Sequence, residues 1–154
     1  MEGMHERKFK LKPGQTDYTR ARWAPVMNCV VMCRGRMLIV ERSWSVGYYP
    51  GCWNGISGFL DDHESLEEKT RTELKEEAGI RPVDIIRMEF GDVFDLEDSA
   101  HKKTWVVHPV RVFVRSPRVV LNDEASDFRW ITFREAEEYD LMPGFRIVLE
   151  RMLF

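Results

Sequence analysis

Cysteine is scarce in this chain, and the few present do not form a pattern. Cys29, Cys33 and Cys52 are odd in number and lack the paired spacing of a metal site. The first two sit four apart in an apolar run, where they would share a strand face as small hydrophobes. A reducing compartment, the cytoplasm, is the matching expectation. Long hydrophobic runs are missing as well. No segment approaches membrane-spanning length, and the N-terminal MEGMHERKFKLKPGQ carries no apolar signal core. Internal repeats and low-complexity tracts are absent. So is any basic excess: a formal net charge of −3 argues against a general nucleic-acid-binding surface.

What remains is ordinary globular composition, 44% hydrophobic and 32% charged over 154 residues. That length suits one domain spanning 1–154 with a sizeable core. FKLKPGQ alternates and then breaks at Pro13-Gly14, which predicts an edge strand or arm within residues 1–23. PVMNCVVMCRGRMLIVERS reads as two strands joined in a hairpin at Arg34-Gly35. WSVGYYPGCWNGISG is rich in glycine and aromatics without periodicity and reads as a loop. DIIRMEFGDVF and KTWVVHPVRVFV are strand-like; Pro109 in the second predicts an edge or a bulge. DFRWI is a further strand, and Thr132 with Glu135 has capping-box spacing before FREAEE. Phe145, Val148, Leu149 and Met152 follow helical spacing, so the tail reads as an amphipathic helix. The expected architecture is α/β, a mixed sheet with helices packed on its faces.

Charge is where the chain departs from the ordinary. Asp61 to Glu77 holds eight acids against three bases, so the rest of the chain is slightly basic. Ser65 with Glu68 predicts a capped helix start, Gly79 its end, and Pro82 blocks continuation. At about 100° per residue, Glu73, Glu76 and Glu77 fall on one face as a carboxylate row. Like charges at this spacing destabilise a helix by a few tenths of a kcal/mol per pair, and the helix dipole adds to that near the C-terminus. A hard divalent cation such as Mg²⁺ would compensate, because it takes oxygen ligands and is commonly shared between carboxylates and substrate phosphates. The plain alternative is a solvated helix face, with Glu67–Arg71 and Lys69–Glu73 as surface i,i+4 pairs.

The stretch GFLDDHESLEEKTRTELKEEAGI resembles the Nudix box: Gly, five residues, Glu, seven residues, then Arg-Glu-aliphatic-any-Glu-Glu-any-Gly-aliphatic. Gly58, Glu64, Glu73, Leu74, Glu76, Glu77, Gly79 and Ile80 match. NCVVMCRGRMLIVERS and GCWNGISG before the box, and NDEASDFRWITFREAEE after it, resemble corresponding Nudix segments. The resemblance implies a Nudix-type α/β/α sandwich. It also implies a pyrophosphohydrolase that uses Mg²⁺ or Mn²⁺ to cleave a diphosphate linkage in a nucleotide or nucleoside-diphosphate derivative. One position departs: Thr72 stands where the box has Arg, and Thr72 cannot supply that charge.

By position in the motif, Glu73, Glu76 and Glu77 are the implied metal ligands, with the Gly58 carbonyl as an addition. Glu73 could instead be a base, as could Glu124 in the loop NDEASD; an exposed turn acid is the plain reading of Glu124. Glu64 is expected to support the helix and loop. Trp44, Tyr48, Tyr49 and Trp53 are candidates for stacking on a base, or for ordinary packing. Arg42 is a candidate phosphate contact, and His101, Trp105 and His108 could line a pocket. Two other readings stay open: an isopentenyl-diphosphate-isomerase-like enzyme, whose cysteine-containing active-site segment is not seen although Cys52 lies before Trp53, and a non-catalytic nucleotide-binding module, suggested by Thr72. The expected partner is a small diphosphate compound rather than a membrane, and many relatives form homodimers.

Overall fold

The first hairpin turns on Arg34 and Gly35, both at positive φ (52° and 78°), as a two-residue turn of the primed kind requires. It joins β1 (Trp23–Cys33) to β2 (Arg36–Arg42), with Met32 opposite Met37 and Cys33 opposite Arg36. The computed structural model describes residues 16–60 and 63–154. The arm or edge strand expected in FKLKPGQ therefore lies outside the described residues.

β1 is the spine of the sheet. Along nearly its whole length it runs parallel to β7 (Lys103–Val114), from Trp23 opposite Thr104 to Met32 opposite Phe113. Its other edge is divided between β2 and the antiparallel β4 (Ile56–Phe59). β2 also carries β3 (Trp53–Asn54) and β8 (Ala125–Ile131), both antiparallel. The far edge of β7 is covered first by β6 (Phe94–Asp98) and then by β5 (Ile85–Phe90). The sheet is mixed, as expected.

Period-two alternation splits β1 between two cores. Ala24 and Val30 point to one face, while Met27, Cys29, Val31 and Cys33 point to the other. Helix α1 (Leu66–Ala78) covers the second face with Leu74 and Ala78. Helix α2 (Pro143–Leu153) covers the first with Phe145, Val148 and Leu149. Leu74, Phe145, Val148 and Leu149 each contribute about 1.5–3 kcal/mol through burial. The result is a helix–sheet–helix sandwich. Cys29 and Cys33 do share a buried face, as free thiols.

Local chemistry sets the ends of α1. The Ser65 hydroxyl accepts the Glu68 N–H at 3.1 Å. Gly79, at φ 64°, turns the chain out and donates its N–H to the Lys75 carbonyl at 3.1 Å. The Thr132–Glu135 box also closes, with Thr132 N–H donating to Glu135 Oε1 at 3.0 Å, but it opens a 3₁₀ turn (Arg134–Glu138) rather than an α-helix.

Of the edge or bulge expected at Pro109, the bulge is what forms, in an interior strand. Between the pairs Phe90–Val110 and Phe94–Val107, two residues of β7 face three of the opposing chain. The Gly91 N–H reaches the Pro109 carbonyl at 3.0 Å within that bulge. A second expectation needs correction: the glycine-rich stretch before the acidic helix is not all loop. Its last third forms β3 and β4, because pairing with β1 and β2 overrides weak local strand propensity. Among the described residues, no helix is long and apolar enough to cross a membrane.

Candidate active site

β4 and α1 meet at Gly58. A Cβ there would lie 2.8 Å from Glu73 Cδ, so the missing side chain is what lets Glu73 lie against the strand. Glu73 is only 4% exposed. Its Oε1 takes the Lys69 ammonium at 2.9 Å, and that ammonium is itself buried. One turn further along, Glu77 places its Oε2 out of solvent with no hydrogen-bond partner among the described residues. Burial pushes the Glu77 carboxyl well above the usual range. The charges of Glu73 and Glu124 and a hydrogen bond with Glu73 push it further, against the opposing pull of Arg42.

These groups border a pocket of about 440 Å³, within the usual size of small-molecule clefts. Gly58, Glu73, Glu77, Arg42, Asp123 and Glu124 give it a charged region. Val26, Phe59, Leu96, Trp105, Val107 and Met142 give it an apolar lobe. Arg42, at the end of β2, commits its Nε to the Tyr48 carbonyl at 2.8 Å. Burial lowers its guanidinium pKa, and the Glu77 and Glu124 carboxylates act against that. An arginine remains charged under such a shift.

Thr72 does not face this cluster. Its hydroxyl donates to Glu64 Oε2 at 3.1 Å, tying the helix to the loop before it. The positive charge beside Glu73 comes instead from Lys69. That pair reads from sequence as solvated surface; the structure buries it, whereas Glu67–Arg71 at 2.7 Å stays in solvent.

The sequence candidates divide plainly. Gly58, Glu73, Glu77, Glu124, Arg42 and Tyr49 come together around the pocket. Glu76 is exposed on α1 and does not line it, so the carboxylate row is split between inside and outside. Trp44 is 73% exposed and packs over Gly51, away from the pocket. Trp53 is held in β3, its ring against Tyr139 at 5.1 Å and under the Arg129 guanidinium at 5.8 Å. Trp105 lines the pocket, but His108 and His101 do not.

Sequence reading missed Asp98, which organises the opposite wall. Its Oδ2 accepts from Tyr49 Oη at 2.7 Å and Trp105 Nε1 at 2.9 Å, and it pairs with His101 Nδ1 at 2.8 Å. Burial alone would raise its carboxyl pKa, yet hydrogen bonds from Trp105, Tyr49 and His101 prevail and hold it below the usual range. Asn28, Asn54 and Ser57 in the pocket lining were also missed. Long-range contacts, Asn28 with Asn54 and Tyr49 and Trp105 with Asp98, bring them to the pocket, and sequence order does not display those contacts.

Among the described residues, no group of three or more His, Cys, Asp or Glu side chains stands ready as a complete ion cage. The donor set nevertheless fits a hard divalent cation. Glu77 offers a buried unpartnered oxygen, Glu73 and Glu124 lie near it, and Mg²⁺ is usually completed by waters and substrate phosphates.

Comparison with known proteins is consistent with this geometry. A family model described as NUDIX domain matches residues 22–152. The nucleoside triphosphatase NudI of Klebsiella pneumoniae (strain 342) is 25% identical over 128 residues, covering 79% of this chain and 91% of that protein. Among solved structures, a MutT NUDIX hydrolase from Burkholderia pseudomallei superposes with a TM-score of 0.65 at 26% identity, covering 84% of this chain and 97% of that one. The NUDIX domain of Shewanella oneidensis NrtR, complexed with ADP ribose, reaches 0.72 at 16% identity, over 99% and 97% of the two chains.

Proposed function

The chain belongs to the NUDIX family, and from that membership we propose that it is a single-domain, Mg²⁺- or Mn²⁺-dependent pyrophosphohydrolase of nucleoside triphosphates or related nucleoside-diphosphate derivatives. It is a hydrolase of phosphoric anhydride bonds, and its relatives include proteins named as nucleoside triphosphatases. The observation that carries the metal and the site is Glu77 Oε2, a carboxylate oxygen buried beside Glu73 without a partner among the described residues. Such an atom costs about 1–3 kcal/mol, more when charged, unless something binds it.

Glu73 and Glu77 would hold the cation, with the Gly58 carbonyl as a further donor; Glu76, outside the pocket, would join them only by a change of rotamer. A bound divalent ion polarises a phosphoryl oxygen and lowers the pKa of an attacking water. The chain's own groups do the rest. Lys69 fixes the Glu73 carboxylate by a 2.9 Å contact. Arg42 faces the pocket and neutralises phosphate charge as the P–O bond of the anhydride breaks. Glu124, in the mouth of the pocket, takes the proton from the attacking water. The loop carrying Tyr48 and Tyr49, locked to Asp98, shields the reacting phosphates from bulk water.

The isomerase reading loses support from Cys52. Its thiol lies outside the pocket, hydrogen-bonded to Asp140 Oδ2 at 3.6 Å; burial and then the Asp140 charge raise its pKa. The test is a phosphate- and pyrophosphate-release assay across nucleoside triphosphates, nucleotide sugars and dinucleoside polyphosphates, with and without Mg²⁺ or Mn²⁺. Metal-dependent release from a nucleotide supports the proposal. Nucleotide binding with no release under either metal would contradict it and favour a non-catalytic module.

A further inference from the structure

We propose that Asn28 is the residue that reads the polar edge of a nucleobase seated in the apolar lobe of the pocket. This deepens the nucleotide reading above and rests on it.

Asn28 lies on β1 between Val26 and Val30, so by strand alternation it points to the face opposite α1. Its Nδ2 donates to Asn54 Oδ1 at 3.2 Å, and Asn54 Nδ2 donates to Ser57 Oγ at 3.1 Å. Asn28 is 6% exposed and Asn54 fully buried, yet Asn28 Oδ1 has no partner among the described residues. All three side chains line the pocket.

An unmet amide oxygen in apolar surroundings is unfavourable, and a protein needing only a stable floor would do better with a hydrophobe. The relay shows why an amide suits a ligand. A serine hydroxyl donates or accepts, so the Ser57–Asn54–Asn28 chain can run in either direction. In one direction Asn28 presents Oδ1, in the other Nδ2. Either way, the unsatisfied end of the relay is the one in the pocket lining.

The chemistry of the occupant follows. Glu73 and Glu77 reach the pocket from α1 on the other face of the sheet, so the charged end and the amide end are distinct. A phosphate oxygen suits only one direction of the relay, because it cannot donate to Asn28 Oδ1. A purely apolar tail would leave the amide as unmet as before. A nucleobase satisfies both requirements, with flat faces for the lobe and an edge carrying N–H and C=O groups. The Tyr48 and Trp105 rings, 5.0 Å apart and nearly perpendicular, line the same lobe.

The test is calorimetric binding of non-hydrolysable methylene-bridged nucleoside triphosphates with each of the four common bases, and of the matching abasic ribose triphosphate. The wild-type protein should bind the best nucleotide at least about tenfold more tightly than the abasic compound. Asn28→Leu should remove most of that gap while leaving abasic affinity unchanged, as loss of one buried hydrogen bond predicts. Asn28→Ala is the second variant if leucine is not tolerated. Equal wild-type affinity for nucleotide and abasic compound would overturn the proposal, as would an unchanged gap in the variants. A gap without any hydrolysis leaves this inference standing and sinks the catalytic reading; hydrolysis without a gap does the reverse.

Discussion

Two carboxylates flank the same pocket in opposite states, Asp98 buried and Glu77 half-buried with its Oε2 out of solvent. Asp98 gathers hydrogen bonds from Tyr49 and Trp105 and a contact from His101, and its carboxyl sits below the usual range. Glu77 has one oxygen with no partner among the described residues, lies near Glu73 and Glu124, and its carboxyl sits above the usual range. Burial penalises both charged forms. In one the fold supplies the compensation; in the other it leaves the compensation to something that binds. A satisfied buried acid is a fastener, and an unsatisfied one is an unmet demand for a cation.

The comparison can be broken at several points, and the largest effect belongs to Glu77. Glu77→Gln should lower kcat by about 10²–10³-fold in steady-state hydrolysis with Mg²⁺, and its circular dichroism should stay native. Asp98→Ala should show the converse. Stranding the Trp105 and Tyr49 donors costs about 3 kcal/mol, read as a lower urea midpoint. Lys69→Met comes next: it leaves the buried Glu73 carboxylate without its cation and should cost about 3 kcal/mol, again by urea titration. Arg71→Met, which breaks an exposed pair, should cost less than about 0.5 kcal/mol.

Proton linkage sharpens the same contrast. The folded-state pKa of Glu77 is raised, so its contribution is fully present below the ordinary value of 4.5 and is lost as pH rises through the raised value. Asp98 is lowered, so its contribution is present above the ordinary value of 3.8 and is lost as pH falls through the lowered value. In chelator, wild type should therefore lose stability relative to Glu77→Gln as pH rises, and relative to Asp98→Asn as pH falls. Urea midpoints across pH check both slopes; parallel curves would contradict the assignment. The smallest effect is at Thr72. With Lys69 already supplying the charge beside Glu73, Thr72→Arg should change kcat by no more than about twofold. A large gain would mean that the missing arginine limits catalysis.

What the sequence disclosed was what short-range chemistry encodes. The Arg34-Gly35 hairpin, the Ser65 cap, the Gly79 stop and the buried stripe of α2 all depend on neighbours within a turn or two, and all are present. Of the box residues, Gly58, Glu73 and Glu77 line the charged end of the pocket, whereas Glu64 and Glu76 do not. What escaped depends on strand register. Asn28 meets Ser57 only through the β1–β4 pairing, and Asp98 meets Tyr49 across 49 positions. Trp44 and Trp53 are candidates for base stacking or for ordinary packing because they cluster before the box. The fold turns one to solvent and packs the other against Tyr139. Lys69 was visible as a helix pair, but its burial was not, since burial is set by β4 lying against α1.

The Glu77 oxygen that has no partner among the described residues is either a cation site or part of an ordinary structural acid. The direct measurement is Mn²⁺ binding by electron paramagnetic resonance, without nucleotide, on wild type, Glu77→Gln and Asp98→Asn, alongside their melting temperatures in chelator. Wild type and Asp98→Asn should bind Mn²⁺ alike. Glu77→Gln should lose binding by about tenfold or more and melt no lower than wild type. If Glu77→Gln binds Mn²⁺ as tightly as wild type, or melts well below it, Glu77 is an ordinary structural acid and the comparison with Asp98 fails.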